Sequence, residues 1–174
     1  MAGGSKAGGG EVFVGVGSKA QMEAKTDADV RDQWFNTDRN QIFWWDGDVW
    51  MADGLEKYVN RAGISLDYGR VVTLGSTTNG VLRSTGQLNT DAFGFTYTGG
   101  VDDAFVTIAT GGKWKALCNS NTVIGDPMGT SGSSVGVLTF RSSYEVGVLA
   151  RACETNSDGG TRLLDFSFIK GRVG

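Results

Sequence analysis

Histidine is absent from this 174-residue chain. That removes the commonest general base and metal ligand, and with it Ser-His-Asp triads, Cys-His pairs and most zinc sites. Cysteine occurs twice, and neither Cys118 nor Cys153 has a second cysteine at the CxxC spacing. Each sits beside apolar residues, in Ala116-Leu117-Cys118 and Arg151-Ala152-Cys153, as expected of buried thiols in a reducing cytoplasm. A late disulfide is the alternative, should two repeats of the chain pack face to face. No apolar run reaches the roughly 18–20 residues that span a bilayer, so a soluble protein without a membrane partner is expected. The amino terminus lacks the basic-then-apolar plan of a secretory signal, and export by that route is not implied. Basic residues are in slight deficit, with a formal charge of −3, which argues against nucleic acid as the main partner. Proline appears once.

Glycine fills part of the space these absences leave. Its 28 residues are more than twice the usual share of about 7% and follow no collagen-like period, which points to many tight turns and bulges. Some recur in order. Gly69-Arg70-Val71-Val72 runs on to Asn79-Gly80-Val81-Leu82, and Gly125-Asp126-Pro127-Met128 runs on to Val135-Gly136-Val137-Leu138. Both copies then reach a glycine-hydrophobic step, Gly94-Phe95 or Gly147-Val148. They end in β-prone runs, Phe105–Ile108 or Leu163–Phe168. A repeat of short strands and glycine turns describes a scaffold. Glycine is abundant enough that chance coincidence stays open.

Residues 1–10 hold too little apolar surface to offset their ordering entropy and read as the start of a flexible arm, 1–17. Within it Glu11, Val12, Phe13, Val14 and Val16 form a short β-prone run suited to joining the sheet edge of a partner. Ala20 to Val30 reads as a short helix or ordered loop. Residues 18–53 form a small aromatic module: Gln33–Asn36, Gln41–Trp45 and Val49–Met51 read as a three-stranded meander, with turns at Thr37–Asn40 and Asp46-Gly47-Asp48. It holds four of the five tryptophans, too much aromatic surface for so small a sheet to leave unstacked. Three uses of Trp34, Phe43, Trp44, Trp45 and Trp50 stay open: an intersubunit or protein interface, a platform for sugar rings, and plain core filling.

From residue 54 to 174 the pattern predicts a small barrel or sandwich, so the fold class is all-β. Gly54 to Ile64 is the exception, with Leu55, Tyr58, Val59 and Ala62 at helical spacing. Strands are predicted at 71–74, 80–83, 92–97, 104–109, 114–119, 122–124, 134–140, 145–152 and 161–169.

Catalytic, cofactor and metal sites are not implied. Asp46 with Asp48, and Asp102 with Asp103, lack the further ligands and closing Glu of a calcium loop. Gly125-Asp126-Pro127 has no following Lys and is no phosphate loop. Ser131, Ser133 and Ser134 have no base to activate them. Glu145 and Glu154, on one predicted strand, are the weak remaining case for carboxylate hydrolysis.

Ile124-Gly125-Asp126-Pro127-Met128, Val146–Ala152 and Asp158-Gly159-Gly160 before the run 163–168 resemble the head decoration (cement) proteins of tailed bacteriophages, over residues 65–174. The first repeat departs from that pattern, with Arg70 where Asp is preferred and Gly94-Phe95 for Gly-Val. Trp34–Thr37 together with Phe43–Trp50 is similar to an aromatic module of phage structural proteins, tail fibres included. The resemblance implies a non-enzymatic β-rich homotrimer, made in the host cytoplasm and placed on the outer surface of the virion capsid, where it clamps neighbouring major capsid protein subunits. Residues 11–16 would then carry the capsid contact, and the tryptophan meander a trimer or capsid contact. A receptor-binding or fibre adhesin that uses the Trp cluster for glycans is the rival.

Overall fold

The computed structural model describes residues 12–169, and the chain divides into two compact units, Met1–Asp53 and Gly54–Gly174. Among the described residues the fold is all-β apart from one short helix.

In the first unit β1 (Phe13–Gly17), β2 (Gln33–Asn36), β3 (Gln41–Trp45) and β4 (Trp50–Met51) form one sheet in that order. The meander predicted from the sequence is therefore four-stranded: β1 lies parallel to β2, and the segment carrying α1 (Lys19–Glu23) crosses between them. Phe13–Gly17, expected to belong to a flexible arm, is strand, and residues 1–11 of that expected arm lie outside the described residues. Ser18 starts α1 with a capping box, its hydroxyl accepting from Gln21 N while the Gln21 side chain accepts from Ser18 N. The helix stops at Glu23, well short of Val30, since Thr26 and Asp27 favour non-helical backbone. Asn36 Oδ1 accepts from Asp38 N and Arg39 N in the first hairpin, and Asp46 Oδ1 from Asp48 N and Val49 N in the second. These are the turn roles their residue types suit.

The second unit contains two closed five-stranded barrels. The first is β5 (Leu55–Asn60), β6 (Val71–Leu74), β7 (Gly80–Arg83), β8 (Ala92–Thr96) and β9 (Phe105–Ala109), closed in the order β5-β7-β6-β8-β9. The second is β10 (Lys113–Cys118), β11 (Pro127–Thr130), β12 (Leu138–Phe140), β13 (Val148–Ala152) and β14 (Arg162–Phe168), closed as β10-β12-β11-β13-β14. The pairings repeat residue for residue. Val71–Phe95, Val72–Gly94 and Thr73–Ala92 recur as Pro127–Arg151, Met128–Ala150 and Gly129–Val148, with a bulge at the same step. Isolated bridges recur too, Leu66–Gly100 and Thr122–Asn156. Gly54 and Gly112 open the barrels at φ +81°, and Gly69 and Gly125 precede β6 and β11 at φ +80° and +99°. Those four positions require backbone that a side chain strains.

Three sequence expectations are corrected here. Residues 54–64 hold no helix: β5 runs antiparallel to β9 from Leu55–Ala109 to Val59–Phe105, and that long-range ladder overrides a helical spacing too short to hold by itself. Pro127–Thr130 is a fully buried strand that period-two alternation does not reveal; its proline is the first residue, where no ladder donor is lost. Val123 and Ile124 are exposed loop, and only Thr122 bridges. The core of the first barrel is Leu66, Val72, Val81, Val106 and Ile108, flanked by Tyr58, Ala62 and Phe93.

Candidate functional site

Cross-strand pairing sorts the aromatic module. Trp34 pairs with Phe43 and Trp45 with Trp50, so these four share one face, while Ile42 and Trp44 share the other. Trp34, Phe43 and Trp50 are buried. Trp50 lies edge-on to Trp34 at 6.5 Å and tilted against Trp45 at 5.4 Å. The Trp34 ring lies over Gly15 of β1, where an added methyl would overlap it. Core filling thus takes three of the five aromatic positions. Trp44, 36% exposed, and Ile42, 47% exposed, remain on the outside.

Of the predicted arm contacts, Glu11 lies outside the described residues. Val12, Phe13 and Val16 are more than half exposed and Val14 is half-buried. Among the described residues β1 is an edge of its sheet, so apolar side chains stand beside main-chain groups that can accept another strand.

The polar candidates serve the turns. Asp102 accepts from Gly63 N, Asp103 pairs with Arg61, and Ser131 Oγ accepts from the backbone of Ser133 and Ser134. Glu145 and Glu154 both lie outside β13; Glu154 accepts from Asp165 N at 2.9 Å. Cys118 is buried and Cys153 half-buried, both are free thiols, and both belong to the second barrel. The face-to-face premise for a disulfide therefore does not hold.

Two features were not legible in the sequence. One is the junction between barrels. Leu117 N donates to Gly69 O at 2.8 Å, Val71 N to Gly136 O at 2.9 Å, and Gly136 N to Ser84 O at 2.8 Å. Leu88 N and Asn89 N donate to the Thr130 carbonyl and hydroxyl. Phe95 stacks on Phe168 with centroids 4.4 Å apart, and Tyr97 meets Trp114 edge-on at 5.2 Å. Such ring pairs contribute about 0.5–1.5 kcal/mol each beyond the area they bury.

The other is a cleft of about 500 Å³ in the first barrel, lined by Glu56, Tyr58, Leu74, Asp91, Phe93 and Thr110. Glu56 accepts from the Tyr58 hydroxyl at 2.7 Å and from Thr110 at 3.0 Å. Burial first, and then the hydrogen bond to and charge of Glu56, push the Tyr58 phenol up to about 12. Two carboxylates, Glu56 and Asp91, and two aromatic rings, Tyr58 and Phe93, thus share one cleft. The sequence placed Glu56 and Tyr58 on a supposed helix and so hid it.

Comparison with solved structures gives a phage protein. The chain is similar to the crystal structure of head fiber gp8.5 N base in bacteriophage phi29, at a TM-score of 0.53 and 11% identity, covering 69% of this chain and 98% of that one. At that identity the likeness is one of fold. No family model matches the sequence, and no curated protein matches it.

Proposed function

We propose that this protein is a structural part of a bacteriophage virion, which attaches to the outside of the assembled head and fastens neighbouring major capsid protein subunits together as a homotrimer. One observation carries the reading: the fold recurs over 98% of the base of a phage head fibre. The chemistry agrees with it, for a chain without histidine and with polar candidates engaged in turns is suited to holding rather than transforming. A subunit that binds only the assembled lattice stabilises that lattice by mass action, about 2.7 kcal/mol per site at a hundredfold excess over Kd. The exposed edge β1, with Val12, Phe13 and Val16, is the capsid contact in this reading, and Trp44 with Ile42 is a second. A trimer presents three such edges and gains avidity without a new type of contact.

A fibre base is the second reading, favoured because the structural neighbour is itself the base of a head fibre. In it the same head-binding surface carries a projecting element. The glycan-platform version of a fibre protein has less support, because Trp34 and Trp50 face inward.

Sedimentation of purified protein with expanded, empty heads of its phage tests the proposal. Binding should saturate at a fixed number of copies per head. Phe13→Asp with Val16→Asp should weaken it at least tenfold while the fold persists, since both side chains point outward. Truncation is a poorer test, because losing residues 13–16 also removes a strand. Absence of saturable binding to heads, with binding to host cells or glycans instead, would refute the proposal.

A further inference from the structure

Repeat equivalence links the barrel junction to surfaces left open elsewhere on the two barrels. The first barrel docks through one face, which carries Leu88 in the loop before β8 and Phe95 on it. The second barrel receives them with Thr130, Gly147 and Phe168, and Trp114 meets Tyr97 of the first barrel beside them. Thr130 accepts from Leu88 N, Gly147 passes so close to Leu88 that an added methyl would stand 2.5 Å from its carbonyl oxygen, and Phe168 stacks on Phe95. The strand pairings, and the matching backbone hydrogen bonds one residue beyond them, give each receiving residue a counterpart in the first barrel: Glu56, Leu74, Asp91 and Thr110. Those four line the open cleft. The cleft is thus the vacant counterpart of the surface with which the second barrel receives the first.

The donating face has a counterpart too. On the second barrel Arg151 stands in the place of Phe95, and Tyr144 in that of Leu88, because Val148 N donates to Glu145 O as Ala92 N does to Asn89 O; Val146 is close behind. All three are exposed, and Arg151 Nε donates to the Tyr144 hydroxyl at 3.1 Å. Where the junction has aromatic rings against aromatic rings, the open faces carry a guanidinium on one side and two carboxylates on the other. Their charges and aromatic surfaces are complementary.

The geometry points to a head-to-tail contact between copies of this chain, in which Arg151 and Tyr144 of one copy enter the Glu56–Asp91 cleft of the next. Where its rotation closes, such a heterologous contact makes a ring in which first and second barrels alternate, with three copies in the homotrimer proposed above. It would be looser than the junction inside the chain, because the matching backbone groups are already satisfied. Gly125 O accepts from Tyr144, Val59 N donates to Asn79 O, and Pro127 stands where Val71 supplies a donor and has none to give. Each copy can therefore stand in water alone, and the contact depends on side chains and charge. It shares with the capsid-fastening role only the number three.

Sedimentation equilibrium and native mass spectrometry of the full chain across a concentration series test the inference, on wild type, Arg151→Glu, Glu56→Arg and the double exchange. The expected result is self-association that weakens in high salt and falls at least tenfold in either single reversal. The double exchange, which restores opposite charges across every contact, should recover it. A wild type that stays monomeric, single reversals that leave association unchanged, or a double exchange without recovery would overturn the contact. An assembly of another size that obeys the exchange keeps these faces and refutes the trimer. A trimer indifferent to it keeps the trimer and refutes the faces.

Discussion

The two barrels share their strand order, register and bulge, yet they hold the same loop by different residues. In the first, Asn60 donates from its buried side chain to the carbonyls of Ile64 and Gly100. In the second, the residue paired like Gly100 is Asn156, and it donates to the carbonyl of Ser120 and to that of Gly160. Ser120 occupies the place of Ile64. One partly buried carbonyl needs a donor in each barrel, and an asparagine supplies it from the end of β5 in the first and from the β13–β14 connection in the second. The backbone demand is what the duplication keeps; the side chain that meets it is free to move.

The same lesson applies to the faces. Phe95 is fully buried in the junction and stacked on Phe168, whereas its counterpart Arg151 is exposed. Phe95→Ala should therefore cost about 3–5 kcal/mol in urea unfolding, and Arg151→Ala less than about 0.5 kcal/mol. Equal effects would show that the two positions are not as different as their surroundings make them. Gly147, at φ +87° and against Leu88, and its counterpart Asp91 make the next pair. Gly147→Ala should lose about 2–3 kcal/mol by thermal unfolding, and Asp91→Ala almost nothing. Replacing either asparagine should cost about 1 kcal/mol, the cost of a hydrogen bond lost to a partly buried carbonyl, and a similar amount in both barrels. A silent Asn156→Ala would break that comparison.

The smallest effect concerns a single proton. The Tyr58 phenol, pushed up to about 12, titrates above its ordinary value near 10. Folding thus favours the neutral phenol, so its contribution is complete below pH 10 and is lost as pH rises from about 10 through about 12. Glu56→Gln should lower the midpoint only part of the way in an ultraviolet absorbance titration, because burial is the larger cause. The counterpart residue in the second barrel is Ala116, so no matching titration exists there.

The duplication was legible where backbone geometry dictates residue type. Gly69 and Gly125 recur because positive φ demands it, and Asn79 at φ +56° stands where the other copy has Gly136 at +69°. Legibility failed where one residue type serves several ends. The sequence aligned Gly94 with Gly147, yet Gly94 corresponds to Ala150; Gly94 makes room for Ile108, Gly147 for Leu88. The all-β class and most strands followed from turn chemistry. β5 did not, because apolar spacing over a few residues cannot tell an amphipathic helix from a strand whose partner lies far along the chain. Trp34, Trp45 and Trp50 were legible as a cluster, but which way the rings face depends on β1, whose Gly15 lies against the Trp34 ring. The cleft and the junction join residues from distant strands, and no local pattern announces them.

Electron cryomicroscopy of heads saturated with this protein is the most direct check on a fastening role. Density for paired barrels should stand on the outer shell, straddling adjacent capsid subunits, with the edge formed by Phe13–Gly17 nearest the shell. Heads bare of such density at saturating protein, or barrels held away from the shell at the far end of a projecting fibre, would contradict it.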